Sequence, residues 1–174
     1  MRIRSILTVC TLLLASLVNA HGQSILTRDQ ASAVMPATVF YAGRTASIQG
    51  RNSTGLRIAG SPTDHLILAA LVDTSGYSSG VQETYQAYLI TEVPLHIANQ
   101  TLPPGAYGIG FIAQDHFVVM DLGAHQLLNV PSTKDATLPR PNPLQLLADP
   151  ATPGHFRLYA GRNFVSIAPA DVAH

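Results

Sequence analysis

Tyr85-Gln86-Ala87-Tyr88-Leu89-Ile90-Thr91-Glu92-Val93-Pro94-Leu95-His96-Ile97 is the stretch that decides the fold. Its odd positions read Tyr, Ala, Leu, Thr, Val, Leu, Ile, while Gln86, Glu92 and His96 stand at even ones. Successive side chains of an extended chain point to opposite sides, so this alternation describes a strand with one face in a core. Pro94 cannot donate to a ladder, which predicts an edge or a bulge at that point.

Outward from this stretch the chain keeps reading as strands. Leu66–Val72 and Phe117–Met120 are continuous apolar runs, short enough for strands buried on both faces. Phe156–Tyr159 and Asn163–Ile167 form a hairpin pattern around Gly161. Gln114-Asp115-His116 is placed as the turn between residues 106–113 and 117–121. In Leu102-Pro103-Pro104-Gly105, proline before glycine predicts a type II turn with positive φ at Gly105. Short helical pieces are expected only near Ser24–Ala33 and Leu144–Ala148. The fold class is therefore all-β: an antiparallel β-sandwich, immunoglobulin-like or jelly-roll-like, with a barrel as the alternative.

The first twenty residues stand apart. Arg2 and Arg4 precede the apolar run Ile6–Val18, and Val18-Asn19-Ala20 supplies small residues for a signal peptidase. Thirteen helical residues cover roughly 20 Å, too short for a ~30 Å hydrocarbon core. Residues 1–20 are thus expected to be a signal peptide, and residues 21–174 one domain, periplasmic or secreted, with no membrane span. The single cysteine, Cys10, falls within the leader, so the mature domain offers no thiol for a disulfide, an iron–sulfur cluster or a nucleophile.

The chain is 47% apolar and only 11% charged, against roughly 25% charged in an ordinary soluble domain. That much apolar side chain excludes disorder. Ten basic residues balance ten acidic ones, which excludes a cationic nucleic-acid binder. Six of the twelve prolines lie in residues 131–153, read as an extended strap laid on the domain.

Several motifs bear on chemistry. Gly76-Tyr77-Ser78-Ser79-Gly80 fits the G-x-S-x-G of a nucleophile elbow, but the alternation from Tyr85 leaves no room for the helix such an elbow needs. A catalytic Ser78 would require His96, His116, His125 or His155 as its base. Gly105-Ala106-Tyr107-Gly108-Ile109-Gly110 puts glycines on one strand face, a bare strip for close packing. Tyr41-Ala42-Gly43-Arg44 recurs as Tyr159-Ala160-Gly161-Arg162, read either as two similar glycine turns or as two arginines offered to a carboxylate or sulfate. Asn52-Ser53-Thr54 and Asn99-Gln100-Thr101 are sequons that mark turn-prone positions.

Cleavage after Ala20 would expose His21, whose amino group and ring can hold copper with a second imidazole. His21-Gly22 resembles the mature start of lytic polysaccharide monooxygenases, and the Leu102–Tyr107 and Asp115-His116 segments resemble periplasmic copper-carrier sandwiches. On that alternative His21 and His116 are the metal ligands. More of the chain, from Leu89–Ile97 through Asn99, Leu102-Pro103-Pro104-Gly105-Ala106-Tyr107 and Phe117–Asp121, resembles secreted bacterial β-domain proteins of acidobacterial type with an L-P-x-G-x-Y hairpin. The resemblance implies an exported sandwich of unknown role and assigns no catalytic residue.

The reading that follows is a non-enzymatic binding or envelope-associated structural module without a cofactor. Its partner is an envelope protein or glycan. The expected contact surface is loop 73–82 together with the strap, with the Tyr77 ring as the contact residue. Protein exported under its own leader should start at His21, as intact mass spectrometry will read; a start elsewhere removes the His21 copper alternative outright.

Overall fold

Every odd position of the deciding stretch is buried, from Tyr85 to Ile97, yet the stretch is not one strand. The computed structural model, which describes residues 22–170, divides it between two sheets. In chain order the elements are β1 (Gln23–Leu26), α1 (Arg28–Val34), β2 (Thr38–Tyr41), β3 (Arg44–Ile58), β4 (His65–Val72), α2 (Ser79–Thr84), β5 (Ala87–Thr91), β6 (Leu95–Ile97) and β7 (Gln100–Leu102). They continue as β8 (Gly105–Ile112), β9 (His116–Met120), β10 (Gln126–Pro131), β11 (Thr133–Lys134), β12 (Gln145–Ala148), β13 (Phe156–Ala160) and β14 (Asn163–Pro169).

An eight-stranded sheet runs β1-β3-β4-β5-β8-β9-β10, with β2 also on β3; a six-stranded sheet runs β12-β13-β14-β6-β7, with β11 also on β14. All pairings are antiparallel. Neither sheet closes on itself, so the sandwich is the architecture and the barrel alternative falls.

The chain crosses between the layers at three corners, the third being Ser132 between β10 and β11. At the first, Thr91 Oγ1 donates to the Val93 carbonyl at 2.6 Å, and Ala170 N–H donates to the Pro94 carbonyl at 2.8 Å. Pro94 thus sits where the chain changes sheets, which spares it a ladder position. At the second, Pro103-Pro104 returns the chain from β7 to β8. Gly105 does not take the expected positive φ; it opens β8 opposite Thr91. Its bare Cα lets the Tyr107 ring lie across it, since a Cβ there would come within 2.8 Å of the phenol oxygen. Tyr107 OH then donates to the Pro103 carbonyl at 2.8 Å. The L-P-x-G-x-Y pattern is this sheet-changing corner, pinned by a tyrosine to the backbone four residues upstream.

Leu56, Ile67, Leu89, Ile109, Phe117 and Val119 of the larger sheet meet Leu95, Ile97, Leu102, Leu146, Leu158 and Val165 of the smaller one in the interlayer core. The larger sheet is also covered outside. α1, started by a Thr27/Gln30 capping box, buries Ala31 against Leu68 and Ala70. Beyond it, Tyr41, Tyr77, Tyr85 and Tyr88 pack on Val118 and Met120. Double coverage is why β4 and β9 read as continuous apolar runs. The expected helix at Leu144–Ala148 is instead β12: Pro141, Pro143 and Pro150 crowd its ends, and β13 supplies ladder partners from Phe156 to Tyr159.

The bare strip on β8 is filled as expected. A Cβ on Gly108 would stand 2.3 Å from the Tyr41 ring, and one on Gly110 would stand 2.0 Å from the Thr84 carbonyl oxygen at the end of α2. Gly110→Ala should therefore cost ~3 kcal/mol or more by overpacking. Gly43→Ala, with open space but φ of +77°, should cost about 1–2 kcal/mol. Urea unfolding followed by circular dichroism will rank them, and equal costs would contradict the packing of α2 on β8.

Candidate functional site

Loop 73–82 is fastened rather than free. Asp73 N–H donates to the Ser47 carbonyl at 2.9 Å, and the Asp73 carboxylate accepts from Ser75 N–H at 3.1 Å. Arg44 donates to the Gly76 carbonyl. Tyr77 is only 8% exposed, and its hydroxyl donates to the carbonyls of Tyr41 at 3.1 Å and Arg44 at 3.3 Å. Its ring meets Tyr85 edge-on at 5.5 Å and Tyr41 at 6.2 Å, while Tyr41 and Tyr85 stack at 3.8 Å. Burial, with the Asp121 and Tyr77 charges secondary, pushes the Tyr41 hydroxyl up to about 12; burial raises Tyr85 further. The expectation of Tyr77 as a solvent-facing contact is corrected: its ring closes the cluster that anchors the loop.

Ser78 is exposed at the N-cap of α2. The sequence reading that no helix follows the G-x-S-x-G motif is also corrected, since α2 begins at Ser79. The four histidines named as bases are engaged elsewhere. His96 Nδ1 meets Thr101 Oγ1 at 2.9 Å, His116 Nδ1 meets Asn129 Oδ1 at 2.6 Å, and His125 Nδ1 meets the Asp121 carboxylate at 3.0 Å. His155 Nδ1 lies 3.5 Å from Ser166 Oγ. None of them is hydrogen-bonded to Ser78.

His21 lies outside the described residues, but its neighbour Gly22 does not. Gly22 accepts from Ala59 N–H at 3.0 Å, beyond the Gln23–Ile58 pair. β1 is the first strand of the larger sheet, and β9 comes after β3, β4, β5 and β8. At ~4.8 Å per strand, five steps are roughly 24 Å. His116 also pairs with Ile112 at the end of β8, whereas Gly22 lies toward the end where β8 begins. Gly22 and His116 thus stand far apart across the larger sheet. Among the described residues no group of three or more His, Cys, Asp or Glu side chains converges as a metal site.

The strap is itself partly sheet, because β11 and β12 extend the smaller layer along β14 and β13. Arg162 fastens it by donating to the carbonyls of Leu138 and of Ala136, the latter at 3.1 Å. The two echoed tetrapeptides both make hairpins but in different registers. Ala42 and Gly43 take positive φ between paired Tyr41 and Arg44, a type I′ turn. Gly161-Arg162 lies between paired Ala160 and Asn163 with only Gly161 at positive φ, a type II′ pattern. Each arginine binds the backbone of another segment, Arg44 that of loop 73–82 and Arg162 that of the strap, rather than standing ready for an anion.

No hydrogen bond among the described residues joins loop 73–82 to the strap. The strap borders the outer face of the smaller sheet. There Arg157 donates to Asp149 Oδ1 at 2.9 Å, stands 4.0 Å from Asp135 Oδ2, and lies 4.5 Å over the Phe164 ring. Tyr159 OH donates to Asp135 Oδ2 at 3.0 Å. The Thr137 hydroxyl, with Tyr159, holds the Asp135 carboxyl below its usual range; the Ala151 N–H, with Arg157, does the same for Asp149. Both are anionic at neutral pH. Beside this node the sheet presents His96, Thr101 and Leu147 to solvent. Sequence reading missed the node; its signal was the polar Arg157 between Phe156 and Leu158, an outward position in an alternating strand.

Comparison with family models, with curated proteins and with solved structures found no match for this chain.

Tyr77→Ala should lower stability by ~3–5 kcal/mol, and Tyr77→Phe by about 1 kcal/mol for the lost hydrogen bonds. Ser78→Ala should stay within about 0.5 kcal/mol. Denaturant midpoints will show this order; a wild-type midpoint for Tyr77→Ala would contradict the anchoring role.

Proposed function

We propose that this chain is an exported, non-enzymatic binding module that holds an envelope protein or glycan on the outer face of its smaller sheet. The observation that carries the reading is the asymmetry of the two layers. Helices and the tyrosine cluster cover the larger sheet's outer face, whereas the smaller sheet's outer face presents His96, Thr101 and Leu147 around the Arg157–Phe164 pair. A rigid sheet face with the Asp135–Arg157–Asp149 network preset offers mixed donors and acceptors at little entropic cost on binding. The leader-like residues 1–20 support export, and the periplasm or the extracellular medium is the proposed location.

His96→Glu combined with Leu147→Glu should leave the unfolding midpoint unchanged and reduce capture of envelope material by immobilised protein at least tenfold. Phe40→Glu is the control, at a 54% exposed position on β2 of the other layer, and should leave capture intact. Loss of capture with Phe40→Glu alone would move the site to the larger sheet.

A further inference from the structure

The two layers differ in width, and the difference leaves a recess. Ile25 of β1 pairs with Leu56, a residue of the interlayer core, so its side chain faces the interior side of the larger sheet. It is nevertheless 38% exposed, because the smaller sheet ends at β12 and leaves this part of β1 uncovered. Beside β12 the gap forms a cleft of about 180 Å³, bordered by Ile25, Arg28, Thr54, Asn142, Gln145 and Leu147 among others.

Two polar groups of this cleft are donors left without an acceptor. Gln145 Oε1 accepts from Asn142 Nδ2 at 2.8 Å, which fixes the amide and leaves its Nε2 buried with no acceptor. A buried donor without a partner is uncommon enough to call for an explanation. Arg28 forms no ion pair among the described residues, and no aspartate or glutamate lines the cleft. Ile25 and Leu147, 38% and 37% exposed, supply apolar surface at the same place. A guanidinium and a primary amide nitrogen beside apolar surface match an acceptor-only anion that carries a short hydrocarbon chain.

We propose that the cleft between β1 and β12 binds a small carboxylate with a short branched apolar chain, the carboxylate on Arg28 and Gln145 and the chain against Ile25 and Leu147. Its volume suits a ligand smaller than a drug-sized molecule. A free carboxylic acid and the C-terminal residue of a peptide share this chemistry. The cleft shares Leu147 with the outer face of the smaller sheet; Arg28→Gln alters the cleft alone and His96→Glu that face alone, so failure of either assignment leaves the other standing.

The test is a titration of the isotope-labelled exported protein with 4-methylpentanoate, with N-acetyl-glycyl-leucine and with 4-methylpentanamide, read at the Gln145 side-chain NH2 resonance. The expected result is a saturable shift with at least one carboxylate, at least tenfold weaker with the amide, and at least tenfold weaker again in Arg28→Gln at an unchanged unfolding midpoint. Tighter binding of the peptide acid identifies a chain terminus as the source, and tighter binding of 4-methylpentanoate a free acid. No saturable shift with either carboxylate, equal binding of the amide, or undiminished binding in Arg28→Gln overturns the proposal.

Discussion

The rest of the molecule depends on one excursion of the chain, in which β5 leaves the larger sheet, builds β6 and β7 in the smaller one, and returns as β8 beside β5. The alternation of buried positions passes through the first corner without losing step, with Thr91, Val93 and Leu95 all facing inward. Both layers share one interior, so a chain crossing between them keeps its phase with respect to that interior. Leu95, Ile97 and Leu102, essentially inaccessible to solvent, tie the layers together in the interlayer core. Apolar burial on this scale supplies most of the stability of a domain whose described residues include no cysteine.

The second constraint acts on the outer side of the larger sheet. Glycines at 108 and 110 let the Tyr41 ring and the end of α2 approach the backbone of β8 more closely than any side chain there would allow. Tyr77 then stitches loop 73–82 to the β2–β3 hairpin, while Arg44 and Arg162 each clamp a loop through backbone carbonyls. These are local fastenings of polar groups, and they explain how so weakly charged a chain holds its loops. Little of its charge is spent on exposed ion pairs, which contribute least to stability.

Coverage on one side and exposure on the other leave the smaller sheet as the layer with a free face. The strap contributes to that face twice, by adding β11 and β12 and by bringing Asp135 and Asp149 to Arg157. The narrower layer also creates the recess under β1. The two proposed binding surfaces thus follow from unequal sheet widths and unequal covering, and neither depends on a hollow interior.

Legibility in the sequence divided along physical lines. Period-two burial, the doubly buried runs 66–72 and 117–120, the helix near residue 28 and the packing strip at Gly108 and Gly110 could all be read, because each depends on side-chain direction and volume within a few residues. Gly105 was misread because a Pro-Gly pair specifies a turn only when the chain must reverse within one sheet. Here it changes sheets. Tyr77 reads as a surface ring from loop composition, which says nothing of the tyrosines at 41 and 85 that enclose it. The separation of His21's neighbour from His116, the Asp135–Arg157–Asp149 node and the recess beside Gln145 likewise depend on which strands become neighbours. The sequence by itself determined which side chains seek the interior, since hydrophobic alternation is a local property; only the tertiary structure decided which surfaces remain open, since that depends on the order and width of sheets assembled from segments far apart in the chain.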